Sequence, residues 1–142
     1  MQVQEIMTRN AGIVHPNATL KDAACRMRAD NIGAMPVGEH DRLIGMVTDR
    51  DIVTRGVANE KPPANTTVRQ VMSEHVYYCF EDEDIERAAE IMAEHQVHRL
   101  PVLDRNKRLV GMLATADLAR AEADAMRKAM KGICERTDKP RR

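Results

Sequence analysis

A chain of 142 residues, 43% hydrophobic and 31% charged, has enough apolar content for one folded domain, or two very small ones packed as one, and is excluded from the disordered class. Its 22 basic and 22 acidic residues cancel, against the basic excess of a typical nucleic-acid binder, and one Phe, two Tyr and no Trp nearly rule out aromatic cages or stacking platforms. No run approaches the roughly 18 apolar residues of a membrane helix; residues 1–7 lack an apolar signal core, and three cysteines without a CxxC spacing fit a reduced, cytoplasmic protein in which Cys25 and Cys79 are structural.

In chain order, residues 3–7 predict a short helical turn and residues 12–15 a short strand. Thr19 is placed as an N-cap. Leu20, Ala23, Ala24 and Met27 then recur at i, i+3, i+4, i+7, one apolar helix face. Strands over 34–37 and 43–47 follow, joined by a short polar hairpin-like link, and a helix begins near Thr48. Residues 59–66 hold the one Pro-rich stretch and read as a joint.

Beyond the joint the same string recurs. Val3 and Met7 fall on Val68 and Met72 at an offset of 65, as do Leu20, Ala23, Ala24 and Met27 on Ile85, Ala88, Ala89 and Met92. Asp84 takes the N-cap place, and Pro36-Val37 falls on Pro101-Val102. One inserted residue shifts the offset to 66, where Gly45, Met46 and Asp51 meet Gly111, Met112 and Asp117. The second copy therefore predicts strands over 77–80, 99–103 and 109–113 and a helix from Ala114. A βαββα unit this small cannot bury its own sheet face and helix stripe. The expected fold is α/β (α+β): two βαββα repeats packed as a pseudo-twofold pseudodimer, with a cleft between the copies.

Residues 43–51, Leu-Ile-Gly-Met-Val-Thr-Asp-Arg-Asp, carry the clearest chemistry. A hydroxyl at Thr48, beside free backbone N–H groups and the positive end of a helix dipole, suits an anionic or phosphate ligand. Asp51 lies on the same face and can accept two hydrogen bonds from a diol such as a ribose. The same pair is also close to a capping box, in which both side chains serve the helix's own amides. In the second copy Ala114 replaces the hydroxyl while Asp117 is kept; a carboxylate that was only half of a capping box would have lost its partner there.

Arg99, beside the Leu-Pro-Val strand, suits either a bidentate phosphate contact or a surface arginine lying over the core. His95 and His98, with Cys79 or His75 nearby, have two of the ligands a metal needs, but the helix breaks between them and no third is fixed by spacing. Of the three aromatic residues, all between 77 and 80, Tyr77 is the candidate to face a ligand. Ser73 is the only serine, and no GxSxG, Walker A or GxGxxG motif occurs, so no enzyme is expected.

The strings Ile-Gly-Ala-Met-Pro-Val (32–37), Gly-Met-Val-Thr-Asp-Arg-Asp-Ile (45–52) and Gln-Val-His-Arg-Leu-Pro-Val (96–102) make the chain resemble, over about residues 1 to 122, a pair of CBS domains, or Bateman module. It is most similar to small stand-alone bacterial members of the hypoxic response type, including a tail ending Gly132-Ile133-Cys134. The implied organisation is repeat 1 over 1–58, a linker over 59–66, repeat 2 over 67–122, and a helical extension with a basic tail over 123–142. The resemblance implies a non-catalytic sensor that binds AMP, ADP, ATP or S-adenosylmethionine in clefts between the repeats, and no required cofactor. In the first cleft Thr48 and Asp51 would hold ribose and phosphate, with Val76, Tyr77, Val97 and His98 around the adenine. In the second, Asp117 would hold the ribose, Asn10, Gly12, Ile32 and Gly33 would line the adenine pocket, and His98 and Arg99 would point at phosphates.

The resemblance also implies a homodimer paired through helices. The amphipathic stretch 118–130, with Ala119, Ala123, Met126 and Met130 on one side, is longer than the closing helix of the first copy. The effector protein stays unidentified, and neither a membrane nor nucleic acid is an expected partner. The alternative is a structural or interaction protein of this family without nucleotide, holding another ligand such as a metal. A third reading gives the basic end, residues 139–142, to nucleic acid.

Overall fold

The computed structural model describes residues 1–9 and 12–137, with side chains described up to residue 133. Asn10 and the basic end at 139–142 lie outside the described residues.

In the first copy, strand β1 (Thr8–Arg9) is followed by helix α1 (Leu20–Asp30), the hairpin strands β2 (Ala34–Glu39) and β3 (Arg42–Thr48), and helix α2 (Asp49–Asp51). α2 runs straight on through a π turn, Ile52–Gly56, and a 3-10 turn, Val57–Asn59. The second copy supplies β4 (Cys79–Phe80), α3 (Ile85–His95), β5 (Arg99–Leu103), β6 (Leu109–Ala114) and α4 (Thr115–Thr137). Single 3-10 turns, Val3–Glu5 and Val68–Gln70, open the copies.

Local chemistry sets most of these bounds. The Asp22 N–H donates to Thr19 Oγ1 at 3.1 Å and the Thr19 N–H to Asp22 Oδ2 at 3.3 Å, a capping box at the start of α1. Asn31 and Gln96 end α1 and α3 in the left-handed region, φ 53° and 52°. Leu20, Ala23 and Met27 are buried as their periodicity predicts, but Ala24 and its counterpart Ala89 are exposed. The buried stripe is thus narrower than expected. Of the two cysteines expected to be structural, Cys79 is fully buried, whereas Cys25 sits on the exposed face as well and packs in neither core. The strand expected over 12–15 shrinks to one parallel bridge, Val14 to Val37.

The four-stranded sheet runs β1-β6-β5-β4, and its outer strands show how the copies join. β1 comes from the first copy, yet Thr8 and Arg9 pair with Met112 and Gly111 of β6. Reciprocally, Ser73 from beyond the joint bridges Met46 of β3, with backbone bonds of 2.8 and 2.9 Å. The flanking turns follow: the Val3 N–H donates to Glu83 O at 2.9 Å, and the Val68 N–H to Ala18 O at 2.8 Å. Each copy thus hands its opening segment to the other, as a twofold relation requires. The cores obey the same exchange. Val68, Val71 and Met72 pack with Val14, Leu20, Met35 and Val47, whereas Val3, with Ile6 and Met7, packs with Cys79, Leu100, Val102 and Leu113. Burying Val3 completely contributes about 2 kcal/mol to joining the copies.

Candidate functional site

β3 delivers Thr48 to the start of α2 in extended backbone, and the chain turns helical at the next residue. The Asp51 N–H donates to Thr48 Oγ1 at 3.1 Å, and the Thr48 N–H donates to Asp51 Oδ2 at 2.9 Å. The capping box is therefore formed. It leaves the Thr48 hydroxyl proton able to donate and Asp51 Oδ1 able to accept, the latter 3.9 Å from Arg55 Nε. Capping and ligand binding are compatible uses of this pair.

Both residues line a cavity of about 400 Å³ between the copies. Ala34, Met46, Thr48, Asp51 and Arg55 come from before the joint. Ser73, His75, Val76, Tyr77, Val97, His98, Arg99 and Pro101 come from after it. The structure so gathers all six residues expected in the first cleft. Arg99, expected at the phosphates of the second, also lines this cavity. It opens β5 as Ala34 opens β2, the two are counterparts at offset 65, and both border the same space where the copies meet.

Arg55 and His75 complete a basic lining; the motif reading assigned Arg55 no role and His75 only a place near a candidate metal pair. Arg55 sits one helical turn beyond Asp51, a spacing that places two side chains on one face and was the available signal. Its Nη1 donates to the carbonyls of Val71 and Met72 at 3.2 and 3.3 Å, which fixes the guanidinium at the cavity wall. Two guanidiniums and two imidazoles face one carboxylate, Asp51. Tyr77 stacks on His95, ring centroids 3.6 Å apart and planes within 8°. That engages His95 in a ring contact, and among the described residues no three His, Cys, Asp or Glu side chains gather as a metal cluster.

The residues expected in the second cleft are arranged differently. Gly12 and Ile32 are neighbours, a Cβ built on Gly12 falling 3.1 Å from Ile32 Cδ1. At Gly33 the open space is taken by the Asp49 carboxylate, 2.9 Å from where a Cβ would lie. Asp117 is 6% exposed; its Oδ2 accepts from the Ala114 N–H at 2.8 Å and its Oδ1 pairs with Arg120. The idea that Asp117 loses its capping role with the hydroxyl is therefore corrected: a carboxylate caps the Ala114 amide whether or not residue 114 has a side chain to answer. In sequence the counterparts of His75, His98 and Arg55 are Asn10, Gly33 and Ala121, none of them basic.

Cys79 lies outside this chemistry. Burial, with a smaller contribution from the Glu83 charge, pushes its thiol up to about 12. Iodoacetamide at pH 8 is expected to alkylate exposed Cys25 and to spare Cys79 until the chain is unfolded, as peptide mapping by mass spectrometry would show. The raised value also has a sign: the unfolded chain ionises this thiol first, so the stability it reflects is complete below about pH 9 and falls as pH rises toward 12.

The chain matches the family model described as CBS domain twice, over residues 3–57 and 68–124. It is 42% identical over 117 residues to the CBS domain-containing protein YhcV of Bacillus subtilis, covering 82% of each chain. It is 39% identical over 133 residues to Hypoxic response protein 1 of Mycobacterium tuberculosis, covering 92% of each. Among solved structures, Hypoxic Response Protein I with two coordinated zinc ions superposes with a TM-score of 0.78 at 40% identity, over 84% of this chain and 98% of that one. The CBS domain pair of protein MJ0100 in complex with 5'-methylthioadenosine and S-adenosyl-L-methionine gives 0.76 at 27% identity, over 88% and 98%.

Proposed function

Because this chain belongs to the CBS-domain family, with two domains in tandem, we propose that it is a non-catalytic cytoplasmic sensor whose inter-copy cavity binds a phosphorylated adenosine ligand. The adenosyl part rests on the ligand-bound relative, the MJ0100 pair. The phosphorylated part rests on one observation: Arg55, Arg99, His75 and His98 outnumber the single carboxylate of the lining. Such a surround favours phosphate oxygens and disfavours the cationic sulfonium of S-adenosylmethionine. Asp51 would take the ribose hydroxyls and Thr48 a ribose or phosphate oxygen, while Val76, Tyr77 and Val97 would flank the adenine. A ligand that touches both copies binds one relative arrangement better than another and so shifts the shape an effector reads.

Isothermal titration of ligand-free protein is the test. ATP, ADP or AMP should bind at one site per chain and more tightly than adenosine or S-adenosylmethionine. Arg99→Gln should weaken ATP about ten-fold while leaving adenosine nearly unchanged, a loss expected of one charge-assisted phosphate contact. No heat with any of these compounds would overturn the proposal. The zinc ions of the Hypoxic Response Protein I structure favour a second reading, a structural protein of the same family holding metal in place of nucleotide. Zinc without nucleotide in native mass spectrometry of untreated protein would select it.

A further inference from the structure

Three residues of the cavity lining, His75, Val76 and Tyr77, sit on one short strap of chain. The strap leaves the bridge between Ser73 and Met46 and ends where β4 begins at Cys79. Among the described residues, none from 74 to 77 makes a hydrogen bond. Solid protein does not back the strap either. Val76 also lines a second cavity, of about 320 Å³, together with Glu74 and Tyr78. The strap is thus a partition with space on both sides, and its own backbone does nothing to keep it in place.

One contact holds its middle. The Tyr77 ring lies on the His95 imidazole, centroids 3.6 Å apart and planes 8° apart. His95 is the last residue of α3, and Ala88 and Met92 bury that helix in the second core. The imidazole is therefore carried by a packed element, while the tyrosine is carried by a loose one. His95 itself lines neither cavity.

We propose that His95 is a positioning residue for the ligand site: by stacking on Tyr77 it holds the strap, and with it His75 and Val76, where a ligand meets them. The effect on affinity rests on the proposed function; the clamp on the strap does not. A ligand that meets a strap already in place has no segment to order, and loss of the clamp subtracts that ordering cost from its affinity. The Glu94 carboxylate, 3.8 Å from His95 Nε2, gives the imidazole a competing reason to be there, and phenylalanine at 95 separates the two because it keeps a ring and gives up the charge contact.

Chymotrypsin cuts after tyrosine, and the two tyrosines of the chain, 77 and 78, stand together at the end of the strap. His95→Ala should speed cleavage there about five-fold in ligand-free protein, the worth of one aromatic pair, with the urea midpoint near that of the native chain. In titration calorimetry it should weaken ATP by about the same factor. His95→Phe should restore both values. Cleavage unchanged by His95→Ala, ATP held as tightly by that variant as by the native chain, or phenylalanine no better than alanine would each overturn the proposal. Native protein that binds no nucleotide at all would overturn the proposed function alone, and the ligand-free cleavage rates would then decide whether His95 clamps the strap.

Discussion

Gly111→Val is expected to lower the unfolding free energy by about 3 kcal/mol or more, placing it among the most damaging single substitutions in the chain. A Cβ at residue 111 would lie 2.5 Å from the carbonyl oxygen of Thr8 and 3.3 Å from Met7 Sδ. Backbone cannot yield as a flexible side-chain end does, so β1 must leave β6. The turn before β1 carries Val3, and with it one of the fully buried residues of the second core. Gly45→Val should act in the same way in the first copy, where the obstacles are Ser73 O at 2.8 Å and Met72 Sδ at 2.9 Å. Gly132→Ala is the control: nothing lies within 4 Å of it, and alanine in a helix should stabilise by up to about 1 kcal/mol. Urea unfolding midpoints measure all three. A Gly111→Val midpoint equal to that of the unsubstituted chain would refute the close crossing.

Asp51→Ala is expected to reduce nucleotide affinity about a hundred-fold while costing only about 1 kcal/mol of stability. On the proposed function, in which Asp51 takes the ribose hydroxyls, the binding loss follows from removing a charged acceptor of two hydrogen bonds, together worth about 3 kcal/mol. The stability loss follows from removing the carboxylate half of a cap, which leaves the Thr48 amide without it. Asp117→Ala should show the opposite balance. Its carboxylate is buried against the Ala114 amide and Arg120, so stability falls while titration with ATP is unaltered. Titration calorimetry and urea unfolding on both variants separate the two effects, and equal ATP affinities in the two would show that Asp51 has no privileged place in the cavity.

Most elements were legible because their causes are local. Period-3.6 faces over Leu20–Met27 and Ile85–Met92, the N-cap Thr19 ahead of the first and polar turns between apolar runs act over a few residues, and α1, α3 and both hairpins formed where those signals stand, although Asp84 ahead of α3 makes no side-chain cap hydrogen bond. The Thr48/Asp51 pair was legible as chemistry but not as a choice. A capping box and a ribose clamp ask for the same residues at the same spacing, and only the geometry shows Oδ2 spent on the Thr48 amide while Oδ1 stays beside Arg55. Ala114 misled for a related reason: the amide that Asp117 caps belongs to the backbone, which a side-chain comparison does not register. Arg55 went unassigned because it matters through where its guanidinium is held, by carbonyls 16 and 17 residues away.

The repeat by itself determined that two like units exist, where each begins, and that their chemistry is unequal, since His98 and Arg99 stand where the first copy has Gly33 and Ala34. Only the tertiary structure decided which unit owns which opening segment. Aligning Val3 with Val68 gives the same offset of 65 whether a segment packs on its own copy or on the other, so no pattern within one copy distinguishes the two. The paired glycines at 45 and 111 are a trace the exchange leaves in the sequence. They must lack a side chain because the other copy's backbone crosses over them, a contact between residues that are neighbours only once the fold exists.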